Sequence, residues 1–258
     1  MKYQPDPSVV PGPNSSSERS LALLALIASE GRALTLAEIG ARLDLPKATA
    51  HRLCGQLLSG GWLVRDIDER SFSVGPALRR MALDTLNNGV LRGLRHAVLE
   101  QLVAQVGETC NFTALDGAKV IYLDRVEAPW PWRLTLDVGA HVPLHCTASG
   151  KLFLATLPAA QRDALIDGTE FEAMTPATIT SAAALRAECE QIAKRGYSTD
   201  REEFIAGLNA AAVPVCDAHG RTRAAIAVHA PSTRLSLDNP LRQLSALQAA
   251  ARRMAALL

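Results

Sequence analysis

From residue 15 onward, apolar positions recur at helical intervals. Ser15 stands three residues before Glu18, a capping-box spacing, and Leu21, Leu24, Ala25 and Ala28 then form a stripe that stops at Gly31. Thr35 and Glu38 repeat that spacing ahead of Leu36, Ile39, Gly40 and Leu43, which predicts a short helix over 36–43 and a tight connection at Asp44 and Leu45. Pro46 suits the first turn of a third helix, where a missing N–H costs nothing, and Gly60-Gly61 ends it. WLVR and SFSV then alternate around the polar turn DIDER and read as a β-hairpin. Three helices and a hairpin in this order predict a winged helix-turn-helix over 15–75.

PALRRMALDTL continues as a linker helix over 76–88, and a further helical pattern runs through Val90–Val106 into a second domain over 89–258. There TCNFTAL and KVIYLDRVE form a hairpin across Asp116-Gly117, and RLTLDVG reads as another strand. Helices near 149–157, 159–167 and 181–195 follow, then strands near 197–201 and 208–216, the strand TRAAIAVHA, and a helix over about 239–257. The fold class is therefore α+β: a winged helix-turn-helix followed by an α+β domain on a largely antiparallel sheet.

The third helix divides cleanly. At roughly 100° per residue, Ala50, Leu53, Cys54 and Leu57 share one face. Lys47, Ala48, Thr49, His51, Arg52 and Gln56 lie elsewhere, with no acid among them. Arg52 and Gln56 suit base edges in a major groove, while Lys47, Thr49 and the helix start suit phosphate. Taken alone, the stretch reads as an ordinary amphipathic helix; the neighbouring elements turn the reading towards double-stranded DNA. Arg65 and Arg70 flank the acidic hairpin turn and suit wing contacts to phosphate, or simply balance Asp66, Asp68 and Glu69.

A net charge of +1, from 27 Lys+Arg against 26 Asp+Glu, excludes a wholly basic nucleic-acid protein but not a local basic face. Five scattered cysteines without a CxxC pair suggest neither a disulfide framework nor a zinc ribbon. No apolar run reaches the roughly 18 residues of a membrane span, and residues 1–14, rich in Pro and polar groups, read as a disordered lead. A cytoplasmic protein without membrane attachment is expected.

Other chemistry is weaker. Cys146 next to His145 suggests a thiol nucleophile, but neighbours on an extended segment point to opposite faces. TASGK lacks the Ser/Thr and the first Gly of a phosphate loop, with Leu152 and His145 in their places. His141 and His145, with Cys110 or His229, are spaced without a diagnostic metal pattern. Asp200 and Glu202 share a strand face, yet no partner base for paired-carboxylate catalysis is evident. No catalytic residues, metal ligands or cofactor are assigned.

LTLAEIGARLDLPKATAHRL, LDGAKVIYLDRVEAP, VPLHCTASGKLFLA and RGYSTDREEFIAGLNAAAVPVCDAHG together resemble the IclR family of bacterial transcription regulators across roughly 17–257. Gly196, Asp200 and Glu203, continuing through Ala210 to Asp217, are similar to its signature; Ala211 departs where a larger aliphatic is usual, and Cys216 where an aromatic or His is usual. The resemblance implies a homodimer or dimer of dimers on a palindromic operator, and a GAF-like domain that binds a small organic acid. Carried over, its pocket comprises Leu134, Val142, Ala148, Ser149, Asp200, Leu208, Ala210, Ala227 and His229, with backbone N–H groups at Ala148-Ser149 holding a carboxylate. Ala210, Ala227 and His229 replace the Cys and two Ser of the pyruvate- and glyoxylate-binding pattern. With Trp130, Trp132 and Phe112 nearby, that points to an aromatic or bulkier acid. The alternatives are an aliphatic keto acid, a hydrolase using the same pocket, or a protein-interaction module presenting the third helix.

Overall fold

The computed structural model describes residues 15–30, 32–66, 68–87, 89–131, 136–237 and 241–257. The lead expected over 1–14, the helix stop at Gly31, one position of the hairpin turn (67), the linker end at 88, the positions 132–135 and the start of the last helix near 239 lie outside the described residues. The chain divides into two compact units, Met1–Thr85 and Leu86–Leu258.

In the first unit, α1 (Ser16–Glu30), β1 (Leu34–Thr35), α2 (Leu36–Leu43), α3 (Lys47–Ser59), β2 (Leu63–Arg65) and β3 (Ser71–Val74) form a three-helix head with a small sheet ordered β1-β3-β2. Both capping boxes exist. The Ser15 hydroxyl accepts from the Glu18 N–H at 3.1 Å while the Glu18 carboxylate accepts from the Ser15 N–H at 2.9 Å. Thr35 and Glu38 do the same, and Arg32 adds an ion pair at 2.7 Å that helps hold the Glu38 carboxyl down at about 2. Asp44, in the left-handed region at φ 50°, closes α2, and the Leu45 N–H reaches back to the Gly40 carbonyl at 2.9 Å, so the turn into α3 is tight. Pro46 is the residue just before α3 rather than part of its first turn.

The face of α1 differs from the expected one. Leu23 and Ile27 are buried, while Leu21, Ala25 and Ala28 are exposed and Leu24 is only half-buried. LALLALIA is apolar on every side, so it contains no polar face from which the buried one can be read; contact with Ile39, Leu53 and Phe72 decides it. The pairing of β1 with β3 was also not anticipated.

Helix α4 (Pro76–Asn87) continues the chain. The second unit has a six-stranded antiparallel sheet. Its strands are β4 (Thr109–Asp116), β5 (Lys119–Val126), β6 (His141–Pro143), β7 (Ser198–Arg201), β8 (Leu208–Cys216) and β9 (Thr222–Pro231), in the order β6-β5-β4-β9-β8-β7. Its helices are α5 (Gly89–Val106), α6 (Ala148–Thr156), α7 (Ala159–Asp167), α8 (Ala182–Arg195) and α9 (Leu241–Ala255). Helices α5 and α9 pack on one face; α6, with α8 behind it, packs on the other. Ala210, Ala212, Ala225 and Ala227 lie on the α6 face, and their methyls let that helix approach the strands closely. RLTLDVG is not the expected strand in its described part: Leu136 and Asp137 are loop, and Val138-Gly139 belong to a turn.

Candidate nucleic-acid interface and ligand pocket

In α3, Ala50, Leu53, Cys54 and Leu57 are buried. Lys47, Ala48, His51, Arg52 and Gln56 are exposed and Thr49 is half-buried. Arg52 donates to the Gln56 side-chain oxygen at 3.2 Å, one turn further on, so the two polar heads already lie side by side. A methyl added at Gly55 would meet nothing within 4 Å, leaving that surface open to close approach. Arg65 stacks its guanidinium 5.3 Å from the centre of the Phe72 ring and donates to the Glu69 carbonyl, which ties it to the hairpin. Arg70 and Lys47, far apart in sequence, both border a cleft of about 530 Å³ with Thr35, Leu36, Gly40 and Leu45.

In the second unit, Asp200, Ala210 and His229 lie in register across β7, β8 and β9, and Ala227 and Asn111 are paired across β9 and β4. All five border one cavity of about 30 Å³, roofed by the start of α6 through Thr147, Ala148 and Ser149 and closed by Tyr122, Val142, Phe204 and Leu208. On the same measure one water needs ~10–15 Å³, so this compartment has room for two or three. The structure thus gathers Val142, Ala148, Ser149, Asp200, Leu208, Ala210, Ala227 and His229 around one space; Leu134, like Trp132, lies outside the described residues.

The two described aromatics expected here are elsewhere. Trp130 donates its ring N–H to the Gly107 carbonyl at 2.9 Å and lies under Arg234. Phe112 points to the α5 face, 5.5 Å from the Arg95 guanidinium. A bulge opposite Phe112/Thr113 separates their cross-strand partners, so Asp124 pairs with Phe112 while Tyr122 pairs with Thr113. The rings that reach the cavity belong to Tyr122 and Phe204, neither of which was anticipated; nor were Asn111 and Thr147. A polar Asn at an inward position of TCNFTAL was the signal available for the first of these.

Helix α6 begins at Thr147, whose hydroxyl accepts from the Gly150 N–H at 3.1 Å. Gly150 has no alternative: a Cβ there would lie 2.4 Å from the Leu144 carbonyl oxygen. The Ala148 and Ser149 N–H groups precede the first intrahelical bond and carry the positive end of the helix dipole. Ser149 accepts from Thr113 at 3.1 Å, leaving its own hydroxyl proton to donate.

Burial pushes Asp200 up to about 7, and the nearby Glu203 carboxylate adds to this, against the backbone N–H groups of Glu203 and Phe204 that donate to it at 2.7 and 3.4 Å. Burial, with Arg125 nearby, pushes His229 down to about 3. The two act oppositely on stability. Between its ordinary 3.8 and about 7, Asp200 keeps a proton in the folded state that the unfolded chain has released, so stability falls as pH rises. Between about 3 and its ordinary 6.5, the unfolded chain protonates His229 and the folded state does not, so stability rises with pH. Urea denaturation is expected to show Asp200→Asn gaining stability relative to the wild type as pH rises from 3.8 to about 7, and His229→Phe losing stability relative to the wild type as pH rises from about 3 to 6.5. Slopes of the reverse sign contradict these assignments.

The enzyme-like features do not converge. Cys146 is fully buried and its thiol is pushed up to about 12 by burial; His145 faces the Glu172 carbonyl at 2.9 Å. His141 pairs with Asp116 at 2.8 Å, and among the described residues no group of three or more His, Cys, Asp or Glu could hold a metal. No helix among the described residues is long and apolar enough to cross a membrane.

A helix-turn-helix with a winged hairpin, carried on the same chain as an α+β domain with a small internal pocket, defines a DNA-binding transcription regulator. Residues 16–66 match the model of the IclR helix-turn-helix domain, and 84–256 that of the bacterial transcriptional regulator IclR C-terminal domain. The chain is 42% identical over 226 residues to a protein described as probable transcriptional regulator SauR from Cupriavidus necator, covering 87% of this chain and 89% of that one. It is 32% identical to the transcriptional repressor IclR of Escherichia coli, over 88% and 84% of the two chains. The solved Thermotoga maritima IclR shares 25% identity over 93% of this chain and 97% of its own, with a TM-score of 0.63. The chain belongs to the IclR family of bacterial transcriptional regulators, and is a DNA-binding regulator rather than an enzyme.

Proposed function

We propose that this regulator binds a palindromic operator as a homodimer or dimer of dimers, and that a small carboxylate in the pocket of the second unit controls that binding. The observation that carries the second half is a small cavity of mixed lining in which His229 Nε2, buried and without a partner among the described residues, shares the space with the start of α6. The DNA face comprises Lys47, Ala48, Thr49, His51, Arg52 and Gln56, with Arg65 and Arg70 at its edge. Arg70 adds to Lys47 across one cleft, which suits phosphate; Arg65, held on Phe72, is the less available. Val90, Leu91 and Leu94, exposed along α5, suit contact between copies.

A ligand moves an equilibrium only by its unequal affinity for two arrangements. Here the arrangements are two spacings of paired N-terminal units, changed across 76–88. Room for two or three waters favours a short aliphatic acid; Tyr122 and Phe204 favour an aromatic one if either ring withdraws. Thermal shift of the full-length protein against lactate, pyruvate, benzoate and 4-hydroxybenzoate separates these, since binding stabilises the native state by about 2.7 kcal/mol at a hundredfold excess over Kd. A rise with one class identifies it. No rise with any acid contradicts the effector reading.

A further inference from the structure

The pocket's polar groups are connected to a buried chain of hydrogen bonds behind it. Arg125 Nη1 donates to Asn111 Oδ1 at 3.0 Å, and Asn111 Nδ2 lies 3.0 Å from His229 Nδ1. All of these residues are buried in the sheet. A guanidinium has donors only, so the amide oxygen of Asn111 has to face it and the amide NH₂ has to face the imidazole. His229 Nδ1 then accepts, and the ring proton resides on Nε2. That nitrogen is buried and, among the described residues, unpartnered, while its residue lines the cavity. Directly across the sheet, with only the methyl of Ala210 between them, stands Asp200, roughly 10 Å away by strand spacing.

We propose that the pocket selects a hydroxyl-bearing acid, and that Asn111, oriented by Arg125, is the positioning residue that makes this possible by holding His229 in its Nε2–H form. The ligand hydroxyl sits above Ala210, accepting from His229 Nε2–H and donating to the Asp200 carboxyl group, while its carboxylate meets the start of α6. This rests on the effector reading above and adds the group by which the effector is recognised. A hydroxyl is the simplest group able both to accept from one wall and to donate to the other. An acid lacking it leaves the imidazole N–H buried and unpaired, which lowers affinity by about tenfold or more.

Two measurements on the full-length protein test this. Long-range ¹H–¹⁵N NMR of the ligand-free, histidine-labelled protein at neutral pH is expected to show His229 with a bare Nδ1 and a protonated Nε2, and Asn111→Leu to lose that single form. Calorimetric titration then compares lactate with propionate, and 4-hydroxybenzoate with benzoate. In at least one pair the hydroxylated acid is expected to bind about tenfold or more tightly. In His229→Phe and Asn111→Leu that ratio falls to near one, whereas a general loss of folding would lower both members of a pair alike. A proton on Nδ1 in the wild type overturns the relay. Equal binding within both pairs overturns the hydroxyl contact, and absence of binding by all four acids overturns the effector reading beneath it.

Discussion

Lys151→Met is expected to destabilise the protein by about 3–5 kcal/mol, the largest loss among the substitutions considered. Lys151, on α6, is 1% exposed and its ammonium meets both carboxylate oxygens of Glu203, itself 7% exposed. Glu203 is further fixed through its carbonyl, which accepts from Thr178 at 2.6 Å and Thr175 at 3.3 Å. Removing the ammonium leaves a carboxylate in the interior with too little to neutralise it, and the penalty of an unpaired buried charge exceeds what the pair itself contributes. The double variant Lys151→Met, Glu203→Leu, which removes both charges, should recover most of the loss. Urea denaturation of the three proteins gives the answer: a single-variant loss below ~1 kcal/mol would mean that the pair behaves as a surface ion pair. Because Glu203 follows Asp200 by three residues and its N–H donates to Asp200, the single variant should also weaken acid binding.

What the sequence revealed follows from where it offered contrast. In α3, four apolar positions alternate with charged and polar ones, so both faces could be read and both are as expected. α1 offers no polar reference, so its stripe does not show that Leu23 and Ile27 face the core. Short strands with turn signals between them were legible; β1, two residues long, exists only because β3 lies beside it. Family resemblance points to the pocket more than periodicity does. Strands covered on both faces carry apolar residues in both directions, so inward and outward positions look alike. The bulge opposite Phe112 and Thr113 adds a second difficulty: Tyr122 and Asp124 are two apart yet face opposite ways. Simple alternation along β5 from Arg125 therefore misses Tyr122, and nothing local marks Asn111 as the link between Arg125 and His229.

The second large effect concerns DNA. Arg52 is exposed at the middle of α3, held against Gln56 and bordered by the open surface at Gly55. On the proposed reading face, an arginine there would make a bidentate contact to a base edge worth ~1–3 kcal/mol, so Arg52→Ala should weaken specific binding by about 5- to 150-fold. Its removal touches no buried group and should leave folding and acid binding intact. Lys47→Ala should instead weaken binding to all sequences alike and reduce the salt dependence by about one counterion.

The most direct test of a DNA-binding regulator built this way uses a fragment selected by the wild-type protein from random-sequence DNA. Fluorescence anisotropy measures its affinity, beside that for an unrelated fragment, for wild type and Arg52→Ala at fixed salt. Arg52→Ala is expected to lose about tenfold or more on the selected fragment and little on the unrelated one. Equal affinity of the two proteins for the selected fragment would contradict the placement of the reading face on α3.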